Sequence, residues 1–103
     1  ALKMVLYVRE HYTESISAQS VAEEFHLTPN YFSEVFKKHT GIGFSAYVKN
    51  LRLKFAAKLL LTSDLTVREI AEKSGFNSIT YFFNSFKSAY GMPPEQFRNR
   101  LVL

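Results

Sequence analysis

The chain contains no cysteine, and that absence excludes a disulfide framework, a zinc–thiolate site and a cysteine nucleophile. Such a composition suits a reducing cytoplasm. No apolar run approaches the roughly 18 residues needed to span a membrane, and no signal-peptide pattern opens the chain. The first residue is Ala1 rather than an initiator Met, which points to a piece of a longer protein. Charge of one sign is missing over two long stretches. Between Arg9 and Lys37 there is no Lys or Arg, only the acids Glu10, Glu14, Glu23, Glu24 and Glu34. Between Glu34 and Asp64 there is no acid, only the bases Lys37, Lys38, Lys49, Arg52, Lys54 and Lys58. A basic helix is ordinarily a solvated face, but segregation this abrupt points to a polyanionic partner.

What the chain has in quantity is apolar residues at helical spacing. With 47% hydrophobic residues, ten Phe and six Tyr among 103 residues, it holds the core of one small domain or two very small ones. Residues 43–62 organise the rest. Phe44, Val48, Leu51, Phe55 and Leu59 recur at intervals of three and four and predict one helical stripe. Leu53, Ala56, Ala57 and Leu60 fall on roughly the opposite side, so this helix needs a packing partner on each face. At 1.5 Å per residue it is roughly 30 Å long.

The flanking sequences supply those partners, because they are two copies of one unit. Val21-Ala22-Glu23 matches Ile70-Ala71-Glu72 at an offset of 49, and Tyr31-Phe32, Phe36-Lys37 and Gly41 match Tyr81-Phe82, Phe86-Lys87 and Gly91 at an offset of 50. One residue is therefore inserted between Phe76 and Tyr81. Two copies are too few for a solenoid, so the joining helix supplies shared core.

Local signals place the elements. Leu2, Val5, Leu6 and Arg9 predict an amphipathic first helix covering the first repeat. Ser17 caps a short helix to about Phe25, with Val21, Ala22 and Phe25 inward. His26-Leu27 turns the chain. Thr28 then caps a third helix with Pro29 at its first position, and Gly41 ends it. On this helix Phe32, Val35 and Phe36 face inward, leaving Asn30, Ser33, Glu34 and Lys37 on the other side. In the second repeat Thr66 and Glu69 form a capping box, with Val67, Ile70 and Ala71 inward. Gly75 makes the turn over Phe76, and Asn77 or Ser78 caps a sixth helix. There Phe82, Phe86 and Ala89 or Tyr90 face inward, while Thr80, Phe83, Asn84 and Lys87 face out. Pro93-Pro94 starts a last helix, about 94–101, bearing Phe97, Arg98 and Arg100.

The expected fold is thus all-α, with seven helices in two helix-turn-helix units, 1–41 and 66–101, joined by the helix 43–62. A short helix, a tight turn and a longer polar-faced helix form the unit that places its second helix in the DNA major groove. Two in tandem are a much stronger signal than one, and a 30 Å connector is close to the DNA repeat of about 34 Å. Candidate DNA contacts are Asn30, Ser33, Glu34, Lys37 and Lys38 in the first repeat and Ile79, Thr80, Phe83, Asn84 and Lys87 in the second. Lys87, Arg98 and Arg100 join the basic run as phosphate contacts. Glu34 either accepts from cytosine N4 or pairs with Lys37 or Lys38; Phe83 either touches a thymine methyl or packs against a neighbouring loop. Most Phe and Tyr are read as core, with Phe83 the exception. His11, His26 and His39 lack metal-ligand spacing and fit turn and helix-end positions. No convergent catalytic group is present, so no enzyme and no cofactor is expected. The rival class is a helical protein-interaction module, which needs exposed apolar grooves.

The stretch GFNSITYFFNSFKSAYGMPPEQFRNR, residues 75–100, resembles the signature of the AraC/XylS family of bacterial transcription regulators. The resemblance extends through Tyr31-Phe32, Phe36-Lys37-Lys38 and Thr40-Gly41 in the first repeat, and Tyr47, Arg52, Ala56 and Leu59-Leu60 in the central helix. It covers about 16–100. It implies seven helices, promoter binding that activates or represses transcription, RNA polymerase as a further partner, an upstream sensor or receiver domain, and a cytoplasmic location. Where family recognition helices often read Tyr-Phe-Ser-Arg, this chain has Glu34 and Asn84 at the Arg positions. Gly43 stands where a small polar cap or Pro is usual. A DNA-repair methyl acceptor with a related domain would need a reactive Cys.

Overall fold

The computed structural model describes residues 1–100. Among them are seven α-helices and no strand: α1 (Leu2–His11), α2 (Ala18–Glu24), α3 (Pro29–Thr40), α4 (Phe44–Thr62), α5 (Val67–Lys73), α6 (Ile79–Tyr90) and α7 (Pro94–Arg100). The expected end of the last helix at about residue 101 lies outside the described residues. The chain divides into two compact units within α4, the first Ala1–Leu51 and the second beginning at Arg52.

The first core is Met4, Val8, Val21, Ala22, Phe32, Phe36, Phe44 and Val48. Phe36 is its hub, with ring centroids 5.5 Å from Phe32, 5.6 Å from Phe44 and 5.1 Å from Tyr47. The second core is Leu53, Ala56, Ala57, Leu60, Ile70, Ala71, Phe76, Phe82 and Phe86. Phe86 plays the same part, 5.7 Å from Phe82, 4.5 Å from Tyr90 and 5.3 Å from Phe97. Full burial of each such ring contributes roughly 2–3 kcal/mol.

The repeat is longer than sequence matching shows. Met4 and Val8 correspond to Leu53 and Ala57 at an offset of 49; Phe44 and Tyr47 correspond to Pro94 and Phe97 at an offset of 50. Tyr47 and Phe97 meet the matching Phe36 and Phe86 edge-on, at 88° and 80°. Each unit therefore has four helical segments. The first part of α4 closes the first unit and its second part opens the next.

Two expectations change here. The stripe from Phe44 to Leu59 does not pack as one: Phe44, Val48 and Leu51 serve the first core, whereas Leu59 packs with the second. Spacing of three and four persists along a helix, but the partner on that face changes where one unit ends. In α1 the buried pair is Met4 and Val8, while Leu2 and Leu6 are 60% and 52% exposed. LKMVLYV is apolar everywhere but Lys3, so periodicity fits two faces and packing selects one.

Both inter-helix turns are the same hydrogen-bonded motif. After α2, His26 N–H donates to Glu23 O (3.1 Å) and Leu27 N–H to Ala22 O (2.8 Å). After α5, Gly75 N–H donates to Glu72 O (3.0 Å) and Phe76 N–H to Ala71 O (2.9 Å). This pairing satisfies the last helical carbonyls and requires a left-handed residue. Gly75 has φ 101° and His26 has φ 58°. Glycine adopts such a φ freely; histidine does so under strain.

Candidate nucleic-acid interface

The long helix after each turn begins at a side-chain cap. Thr28 Oγ1 accepts from Tyr31 N–H at 3.2 Å, with Pro29 at the first position of α3. Ser78 Oγ accepts from Tyr81 N–H at 3.1 Å, so Ser78 rather than Asn77 caps α6. Each helix ends on a left-handed glycine, Gly41 (φ 87°) or Gly91 (φ 76°), whose N–H donates to the carbonyl of Lys37 or Lys87 at 2.8 Å. Ahead of them, Ser17 and Thr66 cap α2 and α5 through capping boxes. Glu69 Oε1 accepts from Thr66 N–H at 3.2 Å, and hydrogen bonds from the Thr66 side chain and backbone hold its carboxyl below the usual range. Gly43 precedes α4, its carbonyl accepting from Tyr47 N–H at 3.0 Å.

Core anchoring sets which face is free. With Phe32 and Phe36 buried, Asn30, Ser33, Glu34, Lys37 and Lys38 are all exposed, and Val35 is half-buried. With Phe82 and Phe86 buried, Thr80, Phe83, Asn84 and Lys87 are exposed; Ile79 is half-buried and packs against the core. Ala89 is exposed and Tyr90 half-buried, which resolves that alternative toward Tyr90. No ion pair joins Glu34 to Lys37 or Lys38 among the described residues. Phe83 is 38% exposed.

Two tyrosines read as core are not. Tyr31 and Tyr81 are 55% and 53% exposed. Each lies three residues before Glu34 or Asn84, on the same helical face, and that spacing could have found them. Arg52 lies close to Tyr81; burial draws the Arg52 pKa down, with the Tyr81 charge opposing it. Both tyrosines extend the polar face of their helix.

Arg98 bonds to the protein's own main chain. Its Nε donates to Leu60 O at 3.2 Å, and its Nη2 donates to Ser63 O at 3.4 Å and Leu65 O at 2.6 Å. The side chain is half-buried and closes the end of α4 and the segment leading to α5. Helix phase alone leaves Arg98 free; only the fold of the second unit brings those carbonyls to it. Arg100 is exposed and remains available.

No group of three or more His, Cys, Asp or Glu among the described residues is placed to hold a metal. His11 ends α1, 2.7 Å from the Glu14 carboxylate and with its ring tilted against Tyr7, centroids 4.3 Å apart. Shallow depressions of about 370 Å³ are lined by Leu65, Glu69, Glu72 and Lys73, and by Met92, Gln96, Asn99 and Arg100. No helix among the described residues is long and apolar enough to cross a membrane.

This geometry is shared with known proteins. A family model described as a helix-turn-helix domain matches residues 21–100. Regulatory protein PocR of Salmonella typhimurium is 35% identical over 99 residues, covering 96% of this chain and 33% of PocR. The chain therefore spans about a third of that relative. The C-terminal domain of the two-component response regulator yesN from Fusobacterium nucleatum superposes with a TM-score of 0.90 at 36% identity, over 94% of this chain and 95% of that one. The DNA-binding domain of AdpA, a global transcriptional factor solved in complex with a target DNA, superposes with a TM-score of 0.90 at 26% identity, over 96% of this chain and 89% of that one. With its capped helix pairs, their positive-φ turns and a family match over most of its length, the chain belongs to the AraC/XylS-type family of helix-turn-helix DNA-binding domains.

Proposed function

We propose that this chain, residues 1–103, is the DNA-binding part of a bacterial transcription regulator, and that it binds promoter duplex sequence-specifically with α3 and α6 as recognition helices in adjacent major-groove segments. The observation that carries the proposal is the matched pair of capped helices whose outer faces hold hydrogen-bonding and cationic side chains at equivalent positions. Asn30, Ser33, Glu34, Lys37 and Lys38 on one helix, and Ile79, Thr80, Phe83, Asn84 and Lys87 on the other, are its contacts; Tyr31 and Tyr81 join them. Ionised Glu34 accepts only, which suits the cytosine amino group, whereas Asn84 donates and accepts and suits adenine. The two half-sites then differ in sequence, so a single chain needs no palindrome.

The yesN neighbour is itself the C-terminal domain of a response regulator, which supports an upstream sensor or receiver domain in the full protein. RNA polymerase as a partner, and the cytoplasm as the place of action, rest on the family resemblance. The role is binding, not catalysis, in keeping with relatives named as regulators. A protein-interaction module is the weaker reading, because the exposed faces of α3 and α6 are mostly polar or cationic.

A titration of duplex DNA against salt tests the proposal. If four to six phosphates are neutralised, log K falls against log salt with a slope near −4 to −5. The footprint shows two protected blocks about 10 base pairs apart on one face. A slope near zero, or a palindrome bound only by a dimer, contradicts it.

A further inference from the structure

We propose that Phe83 reads the C5-methyl group of a thymine in the half-site contacted by α6, beside the base read by Asn84. The inference rests on the DNA-binding reading above and names the chemistry of one position within it.

A single exposed Phe is common on protein surfaces and by itself means little. The surroundings of Phe83 say more. It follows the fully buried Phe82, the two rings lie tilted 6.2 Å apart, and 38% of Phe83 stays open. Ile79, one turn earlier, is half-buried, and Lys87, one turn later, is exposed. Residues four apart share a ridge, so an apolar pair leads directly to a cation. The next ridge holds Thr80 and Asn84, both exposed and both able to hydrogen-bond. No acid occurs in α6, so nothing on the helix repels a phosphate flank. An apolar strip beside a hydrogen-bonding strip, next to a lysine, is complementary to one base pair in particular. Thymine carries the one methyl group on the major-groove edge of DNA, and its partner adenine offers the N7 acceptor and N6 donor that an Asn amide pairs with bidentately. The first unit lacks this arrangement: its matching residues are Pro29 and Ser33. The thymine preference therefore belongs to the second half-site alone.

The experiment starts from a duplex selected from a random library with the 103-residue chain. Each thymine of the selected site is replaced in turn by deoxyuridine, which deletes one methyl and preserves pairing. Binding should weaken about three- to fivefold at one thymine, the share of a single buried methyl-sized group. With Phe83→Ser, which copies the residue at the matching position of the first unit, that thymine should no longer respond. An unchanged thermal melt verifies the fold of the variant, and the deoxyuridine scan of the parent stands without it. A selected site in which every thymine is replaceable at no cost overturns the proposal, as does a methyl-sensitive position that Phe83→Ser leaves sensitive. Either result leaves the DNA-binding reading intact, whereas failure to select any site overturns that reading and this inference with it.

Discussion

Arg98→Ala separates the structural cation of the second unit from the DNA-binding ones. Its guanidinium makes three hydrogen bonds to main-chain carbonyls, the shortest to Leu65 O at 2.6 Å and the longest to Ser63 O at 3.4 Å. A hydrogen bond to a charged group is worth about 1.5–3 kcal/mol. The shortest bond counts nearly in full; the longer two count less, and partial solvent exposure discounts all three. The sum is about 2–4 kcal/mol of stability, a large part of the 5–15 kcal/mol typical of a domain. In a chain of this size that lowers Tm by roughly 10–20 °C. Arg98→Lys should recover only part of the loss, because a single ammonium does not span three diverging carbonyls. Measured below the variant's Tm, the salt slope of DNA binding should stay at the parent value, because Arg98 spends its donors on the protein. Lys87→Ala should do the reverse, leaving Tm unchanged and reducing the slope by about one. Thermal melts and anisotropy titrations on the same samples give both numbers. An Arg98→Ala protein as stable as the parent but with a shallower slope would refute the structural role and return Arg98 to the phosphate contacts.

The two turns give a paired test. A left-handed φ costs a non-glycine residue about 1–2 kcal/mol, and glycine's greater unfolded entropy takes back about 0.5–1 kcal/mol; His26→Gly should therefore stabilise by about 0.5–1 kcal/mol, and Gly75→Ala should destabilise by about the same amount. A lower Tm for His26→Gly in a melt would show that its φ is not strained. The capping box before α5 gives a pH test. Hydrogen bonds from Thr66 lower the pKa of Glu69 from its usual 4.5, so this carboxylate contributes stability that is complete above that value and is lost as pH falls through the lower folded one. Between pH 5 and pH 3 the Tm of the parent should fall further than that of Glu69→Gln, and parallel curves would remove the box from the acid response.

Elements whose cause is local are legible in the amino-acid sequence. The caps at Ser17, Thr28, Thr66 and Ser78 and the stops at Gly41 and Gly91 are side-chain or left-handed solutions to unpaired helix-end groups, and such residues announce themselves in sequence. The exposed faces of α3 and α6 follow from phase, because two phenylalanines four residues apart anchor the opposite side. Tyr31 and Tyr81 are misplaced by residue type, because an aromatic is normally core, whereas their helical phase points outward. The interior face of α1 is ambiguous because nearly every position from Leu2 to Val8 is apolar.

The sequence by itself determined the two-fold repeat, the helices and their ends, and the polar faces turned away from each core. All of these follow from interactions within a few residues, or from a period that the chain displays directly. The tertiary structure alone decided which part of α4 serves which unit, that Met4 and Val8 rather than Leu2 and Leu6 fill the first core, and that Arg98 closes the end of α4. Arg98 meets Leu60, Ser63 and Leu65 across 33 to 38 residues of chain. Local periodicity carries no information about a contact at that distance, because packing of α7 against the rest of its unit creates it.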